Sequence, residues 1–107
     1  MQNFYQLSDL EKQQAGAHNA YLEFLRIPQM SAGIYVLPAG STDRQIPHQQ
    51  DELYYVVQGQ ARMKVGSEDQ PVAPGSLIFV AAGVEHRFHD INKELTVLVF
   101  FAPAESD

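Results

Sequence analysis

The sequence predicts an all-β protein, and three observations support this prediction. Short apolar runs alternate with turn residues along most of the chain, prolines end two of these runs, and only one short segment near the N-terminus carries a helix signal. Proline ends a strand because it has no N–H group to donate to a neighbouring strand. The pattern favours a β-sandwich or β-barrel with at most a short N-terminal helix.

Chain length and composition limit the possible classes of protein. The 107 residues are close to the commonest domain size, so we expect one domain over residues 1–107. Thirteen acidic and seven basic residues give a net charge of -6, which argues against nucleic-acid or anionic-membrane partners because both need clustered Lys and Arg. The sequence has no cysteine, which excludes disulfides and thiolate metal ligands. Without a signal peptide or a long apolar run, a cytoplasmic location is expected.

The N-terminal third of the chain contains one helix candidate and two strand candidates. Ser8 and Glu11 have the spacing of a capping box, which predicts a brief helix that ends near Gly16. Residues 21–27 and 32–37 are mixed apolar runs, and each is followed directly by a proline. We therefore expect two short strands after the helix.

The remaining elements follow from alternation and from glycine. The predicted elements are a strand over 53–57 that stops at a turn at Gly59, an amphipathic strand over 60–65, a polar hairpin loop over 66–70, and apolar strands over 76–80 and 95–101. We expect the run 76–80 to be buried on both faces. The last strand is nearly all apolar, so we expect a homodimer in which terminal strands pack together. Residues 103–107 are expected to fray.

Two glycine-framed segments, residues 40–59 and 75–90, carry potential metal ligands. In the first, His48 and Glu52 precede a strand; in the second, His86 follows a glycine turn. Strand alternation places Ile46 and His48 on one face, and Glu52 returns to that face if the chain stays extended. A His and a Glu that face a barrel interior are costly to bury without a partner, and a bound cation would supply one. For a single histidine, a backbone carbonyl is the alternative partner.

These two segments resemble the motifs of the cupin family. The first cupin motif is Gly-x5-His-x-His-x3-Glu-x6-Gly and the second is Gly-x5-Pro-x-Gly-x2-His-x3-Asn. The chain matches them at Gly40, His48, Glu52, Gly59, Gly75, Gly83 and His86, and departs from them at Ile46, Ala81 and Asp90. The resemblance implies a jelly-roll barrel, or double-stranded β-helix, and a metal site in which three of the four usual ligands survive.

The surviving ligands are His48, Glu52 and His86. Two imidazoles and one carboxylate leave coordination positions open, and this donor set suits one divalent ion of Fe, Mn, Zn or Ni. The position of Ile46 leaves a gap. Gln50, or Gln45 if the strand has a bulge, could provide a fourth ligand; water or apolar substrate space are the alternatives.

Two functional classes remain open. The cupin resemblance implies a metal-dependent enzyme such as a dioxygenase, isomerase or lyase that acts on a small organic molecule. The alternative is a non-catalytic protein that binds or senses a small ligand, with or without metal. Ile46, Tyr54 and Phe88 are expected to line the pocket in either case. No esterase elbow, phosphate-binding loop or thiol nucleophile is present in the sequence.

Overall fold

The structure, a computed structural model, describes residues 1–44 and 46–106. The described part is mostly β-sheet with one short helix, as the sequence predicts. In chain order its elements are α1 (Leu7–Ala15), β1 (Tyr21–Ile27), β2 (Met30–Leu37), β3 (Asp51–Val65), β4 (Glu68–Val72), β5 (Leu77–Val80) and β6 (His86–Ala102).

The strands form one antiparallel sheet around an apolar interior. Their order is β1-β2-β6-β3-β4, and β5 pairs with the first half of β3. The long strands β3 and β6, of 15 and 17 residues, pair with each other and supply most of the core. Alternation along β3 turns Glu52, Tyr54 and Val56 inward, and all three are buried. The metal-ligand candidate Glu52 therefore belongs to the same strand face as the core.

The turn predicted at Gly59 is wrong, because β3 continues through this residue. Gly59 has a φ of 107°, and it lies where the pairing between β3 and β6 shifts register. A Cβ at this position would collide with the backbone of Glu94, so the close approach of β6 requires glycine. Local sequence signals do not distinguish a bulge from a turn, since both favour glycine.

The helix and the polar loop also differ from the prediction. The N-cap of α1 is Gln6 rather than Ser8, and no side chain caps the helix, although Gly16 does end it. The predicted loop over 66–70 contains only a tight turn, after which β4 begins at Glu68. Within the described part of the chain, no helix combines the length and the apolar character needed to span a membrane.

The outer face of β5 is open in the single chain, contrary to the expectation that this strand is covered on both faces. Leu77 and Phe79 are 65 % and 62 % exposed. They pair with Tyr55 and Leu53 of β3, which are also partly exposed, so these four side chains form one apolar outer patch. Such contiguous patches commonly mark interaction sites.

The sequence predicts a homodimer in which terminal strands pack together; from the exposed face we expect instead that this patch on β3 and β5 forms the interface. A charge in the patch would then be buried without a partner, so Phe79→Glu should convert the dimer into a monomer. Sedimentation velocity should show twice the mass of one chain for the wild type and one chain mass for this variant. Phe4→Glu places the same charge at an exposed apolar residue outside the patch and should leave the dimer intact. A wild type that sediments as a monomer at high concentration would contradict the prediction.

The expected fraying of the C-terminal segment is wrong for residues 103–106; Asp107 lies outside the described residues. Beyond β6 the chain turns back over the barrel, and the Glu105 N–H donates to the buried Ser31 hydroxyl at 2.9 Å. The Ala104 N–H donates to the Pro28 carbonyl at 3.3 Å. This segment lies against the edge of the barrel that holds the metal-ligand candidates.

Candidate metal centre

The structure brings the three predicted ligands into one cluster. His48 lies in the loop before β3, Glu52 is the second residue of β3, and His86 is the first residue of β6. Their potential ligand atoms all lie within 4.8 Å of one another. Glu52 Oε1 is 2.7 Å from His86 Nε2 and 3.9 Å from His48 Nε2. The carboxylate therefore lies between the two imidazoles.

The curvature of β3 and β6 makes this cluster possible. His86 pairs in register with Val65, which lies 13 residues beyond Glu52 on β3. A straight strand would place Val65 about 43 Å from Glu52. The register shifts around Gly59 mark the place where the pair of strands bends, since bulges increase local bend and twist. The bend returns the end of β3, with the start of β6, to Glu52.

The buried ligand atoms of Glu52 and His86 have no hydrogen-bond partners other than each other among the described residues. Glu52 is 2 % and His86 6 % exposed. Apart from their mutual contact at 2.7 Å, the carboxylate oxygens of Glu52 and the Nε2 atom of His86 find no hydrogen-bond partner among the described residues. Buried polar atoms without partners are costly. A divalent cation held by Glu52, His86 and His48 would give these buried atoms a partner, so the donor set fits a metal ion.

Contacts at the far side of each ring select the tautomer that such an ion requires. His86 Nδ1 is 2.9 Å from the Val84 carbonyl oxygen, and His48 Nδ1 is 3.2 Å from Glu105 Oε2. Both partners are acceptors, so each Nδ1 carries the proton and donates it. In the neutral ring, each Nε2 then has a lone pair that an ion could use, as in metal-binding histidines.

The surroundings of His86 predict how binding of an ion would depend on pH. Burial alone lowers the pKa of His86, but the Glu52 carboxylate, with the Val84 carbonyl, outweighs this effect and raises it above the ordinary value. The raised pKa favours the protonated ring in the absence of metal. An ion that binds Nε2 must displace this proton, so metal affinity should fall as pH falls through the pKa of His86.

Aromatic side chains surround the two histidines. The His48 ring is 5.1 Å from the Phe101 ring, and the Tyr54 ring is 6.1 Å from His86 and 5.2 Å from Phe88. Tyr54 and Phe88 are fully buried, so they pack behind His86 as part of the core. Their predicted role in lining a ligand pocket stays a prediction.

Ile46 does not face the barrel interior, contrary to the expectation from strand alternation. Residues 46–50 form a loop rather than a strand, and Ile46 is 73 % exposed at a surface depression that also includes Pro47 and Glu85. Gln50 is buried, and its amide nitrogen donates to the Ser106 hydroxyl at 2.9 Å. Its role as a fourth ligand stays a prediction, and Gln45 lies outside the described residues.

Restoring the histidine of the family motif should have little effect on metal binding. Because Ile46 points into solvent, Ile46→His is expected to change metal affinity by no more than about twofold, the range of ordinary surface substitutions. Isothermal titration of both proteins with Zn²⁺ would measure this. A tenfold tighter complex in the variant would show instead that the loop brings position 46 to the ion.

A cavity of about 220 Å³ lies beside the cluster. It is lined by Tyr21, Tyr35, Val99, Phe101 and Glu105, two of which also contact His48. The Tyr21 hydroxyl is buried and makes no hydrogen bond with any described residue. Burial, and next the charge of Glu105, raise the pKa of Tyr21, so its hydroxyl stays protonated at neutral pH. The cavity therefore combines apolar walls with one available donor.

Sequence reasoning missed two carboxylates that support the site. Asp43 is buried, accepts a hydrogen bond from the Tyr35 hydroxyl at 3.0 Å, and accepts another from the Phe88 N–H at 2.9 Å. It thereby ties the loop before β3 to β2 and β6. Glu105 contacts His48 from the C-terminal segment. No local pattern marks either residue, because each acts on a partner that is distant in sequence.

The fold and the site define a small β-barrel with two histidines and a carboxylate clustered at its interior. The sequence model of the cupin domain family matches residues 33–102, and the chain belongs to this family. It is also 52 % identical over 102 residues to an uncharacterized protein of Streptomyces coelicolor, covering 95 % of this chain and 97 % of that protein. The sequence-based assignment to the cupins is thus confirmed.

Solved structures confirm the jelly-roll β-barrel. The protein TT1209 from Thermus thermophilus has a TM-score of 0.75 at 23 % identity, over 96 % of this chain and 99 % of that one. KdgF from Halomonas sp. has a TM-score of 0.71 at 20 % identity, over 78 % and 76 %. The DMSP lyase DddQ from Ruegeria pomeroyi has a TM-score of 0.66 at 22 % identity, over 71 % of this chain and 39 % of that one. At these identities the similarity is one of fold.

Proposed function

We propose that this cupin binds one divalent metal ion through His48, Glu52 and His86 and presents it to a small organic molecule. The observation that carries the proposal is that the buried carboxylate of Glu52 and the buried Nε2 of His86 have no hydrogen-bond partner other than each other among the described residues. Both histidines also have the Nδ1 acceptors that metal ligands typically have. Two imidazoles and one carboxylate leave coordination positions for water or substrate.

The chemistry divides between the ion and the residues around it. When bound, the ion supplies Lewis acidity, or redox chemistry if it is iron or manganese. The Val84 carbonyl and the Glu105 carboxylate contact the Nδ1 atoms of the imidazoles, and the buried phenol of Tyr21 is available to donate a hydrogen bond into the adjacent cavity. Gly33 permits this placement of Tyr21, since a Cβ on Gly33 would collide with the Tyr21 ring.

The cavity favours a small, largely apolar substrate. Its volume of about 220 Å³ lies below the usual range of about 300–1,000 Å³ for drug-sized ligands. A neutral molecule with an oxygen atom could accept a hydrogen bond from Tyr21 while its carbon skeleton contacts Val99 and Phe101. An oxygenase, isomerase or lyase reaction fits this arrangement, and the DMSP lyase among the structural neighbours supports only that such a barrel can carry lyase chemistry.

A non-catalytic binding function is the second candidate, and the two tyrosines of the cavity favour it. Burial and the adjacent Asp43 raise the pKa of Tyr35, and burial and Glu105 raise that of Tyr21. Both phenols are therefore poor general bases near neutral pH. Of the two, the Tyr35 hydroxyl already donates to Asp43, whereas the Tyr21 hydroxyl is available to donate to a bound ligand. The lining of this cavity is therefore better suited to binding a ligand than to removing a proton from it.

Elemental analysis of purified, untagged protein tests the proposal. We expect about one metal ion per chain, either as purified or after reconstitution with Fe²⁺, Mn²⁺, Zn²⁺ or Ni²⁺. A redox-inert ion as the natural occupant would favour Lewis-acid chemistry or ligand binding over oxygenase chemistry. Failure to bind any of the four ions would contradict the proposal, and the protein would then be a barrel that binds small molecules without metal.

A further inference from the structure

The C-terminal strap, residues 103–106, folds back across the edge of the barrel beside the metal centre. Its backbone and side chains are held by residues from β1, β2 and the two loops next to them. The hydrogen bonds run from Ala104 N–H to the Pro28 carbonyl, from Glu105 N–H to Ser31 Oγ, from the Arg26 guanidinium to the Glu105 carbonyl, and from Gln50 Nε2 to Ser106 Oγ. The strap thus has a defined path.

This path brings Glu105 to His48. Glu105 Oε2 lies 3.2 Å from His48 Nδ1, on the opposite side of the ring from Glu52. The two side chains are 26 % and 18 % exposed, so the contact is partly shielded from water. We propose that Glu105 is a positioning residue of the metal centre: it fixes the tautomer and the ring orientation of His48, and the strap holds Glu105 in place.

His48 needs such a partner more than His86 does. The backbone of His86 belongs to β6 and is fixed by pairing with β3, whereas His48 lies in the loop 46–50 outside the sheet. The backbone hydrogen bond from the Gly83 N–H to the His48 carbonyl, at 2.7 Å, holds the loop, so the rotation of the ring depends on side-chain contacts such as those with Phe101 and Glu105. A carboxylate at Nδ1 stops this rotation and makes Nε2 a stronger ligand.

The inference rests on the proposed metal binding. It adds Glu105 to the metal site, although this residue lies outside the two family motifs. Loss of a carboxylate behind a metal-binding histidine typically weakens metal binding by about 10–100-fold. We expect a loss of this size for Glu105→Ala. Glu105→Gln should retain part of the affinity, because its amide oxygen still accepts the Nδ1 proton without the negative charge.

A third variant tests the strap itself. Ser31→Ala leaves both His48 and Glu105 unchanged but removes the buried hydroxyl that accepts the Glu105 N–H. We expect weaker metal binding than in the wild type, by a smaller factor than in Glu105→Ala. The control is Glu94→Gln, which removes one negative charge at an exposed position of β6 and should bind metal as the wild type does.

The experiment measures two quantities in all five proteins. Zn²⁺ affinity is obtained by competition with a chromophoric chelator, and the tautomer of His48 in the metal-free protein is obtained from the ¹⁵N chemical shifts of its ring. We expect the Nδ1–H tautomer in the wild type and in the Glu94 control, and a shift toward the Nε2–H tautomer in Glu105→Ala. General loss of stability would not change the tautomer in this selective way.

The outcomes separate this inference from the proposed function. If the wild type binds Zn²⁺ and Glu105→Ala binds it equally tightly with an unchanged tautomer, the positioning role is wrong and the metal site stands. If neither protein binds Zn²⁺, Fe²⁺, Mn²⁺ or Ni²⁺, both the role of Glu105 at a metal centre and the proposed function are wrong. A loss of about 10–100-fold that Glu105→Gln partly restores, with the expected tautomer shift, supports the inference.

Discussion

Replacement of His86 by alanine is expected to abolish metal binding. The variant removes one of three donors and leaves Glu52 buried beside an open space, so the remaining pair cannot complete a coordination sphere. Loss of a residue that hydrogen-bonds a metal ligand already weakens metal binding by about 10–100-fold. For loss of the ligand itself we therefore expect metal affinity to fall by more than about 100-fold. Elemental analysis after reconstitution should fall from about one ion per chain to less than about a tenth.

His89→Ala is the matched control for this experiment. His89 lies three residues further along β6, and its Nε2 contacts Asp69 Oδ2 at 2.9 Å on the outside of the barrel. The control therefore removes a histidine from the same strand without touching the cluster. Circular dichroism should show that both variants remain folded. Equal metal content in a folded His86→Ala variant and in the wild type would contradict the assignment of His86 as a ligand.

Glu52→Gln is expected to remove the stabilisation that metal gives to the fold. A ligand that binds only the native state, at about 1,000 times its dissociation constant, raises the free energy of unfolding by about 4 kcal/mol. We expect this gain for the wild type and almost none for the variant, because glutamine keeps the shape of the side chain but lacks its charge. Urea unfolding with and without Zn²⁺ measures both gains.

The metal-free form of this variant should remain close to the wild type in stability. Glutamine removes a buried charge, which is favourable, but it also removes the attraction between Glu52 and His86. Without the carboxylate the buried imidazole is expected to lose its proton, so no unpaired charge stays buried and the effects should offset each other to within about 1 kcal/mol. Glu94→Gln, at an exposed position, should keep the full gain from metal. An undiminished gain in Glu52→Gln would show that the carboxylate is not a ligand.

The sequence correctly indicated the class of fold because its signals are local. Inward alternation of Glu52, Tyr54 and Val56 is visible in the sequence and is present in β3. Spacing to nearby glycines likewise singled out the three ligand candidates that the structure clusters. Alternation failed at Ile46, where the chain leaves the extended conformation and the side chain points into solvent. Parity arguments hold only within a strand.

Other features depended on contacts that no local pattern encodes. A glycine such as Gly59 is expected both where a strand ends and where a strand bends, so the sequence does not distinguish the two. The close approach of β6 shows that the strand bends here. The open face at Leu77 and Phe79 could not be distinguished from a covered one, because a run of apolar residues does not specify what covers it. The sequence of the C-terminal segment predicts only a polar chain end, yet this segment supplies the carboxylate that contacts His48 Nδ1.

The sequence by itself determined the strand periodicity, the cupin family and the identity of the three ligand candidates, since each depends on residue types at short, fixed spacings. Only the tertiary structure decided that β3 bends to bring His86 back to Glu52 and that Glu105 reaches His48 from the C-terminal strap. The physical reason is sequence separation: these contacts join residues 34 and 57 positions apart, and they form only when the whole sheet closes around its core.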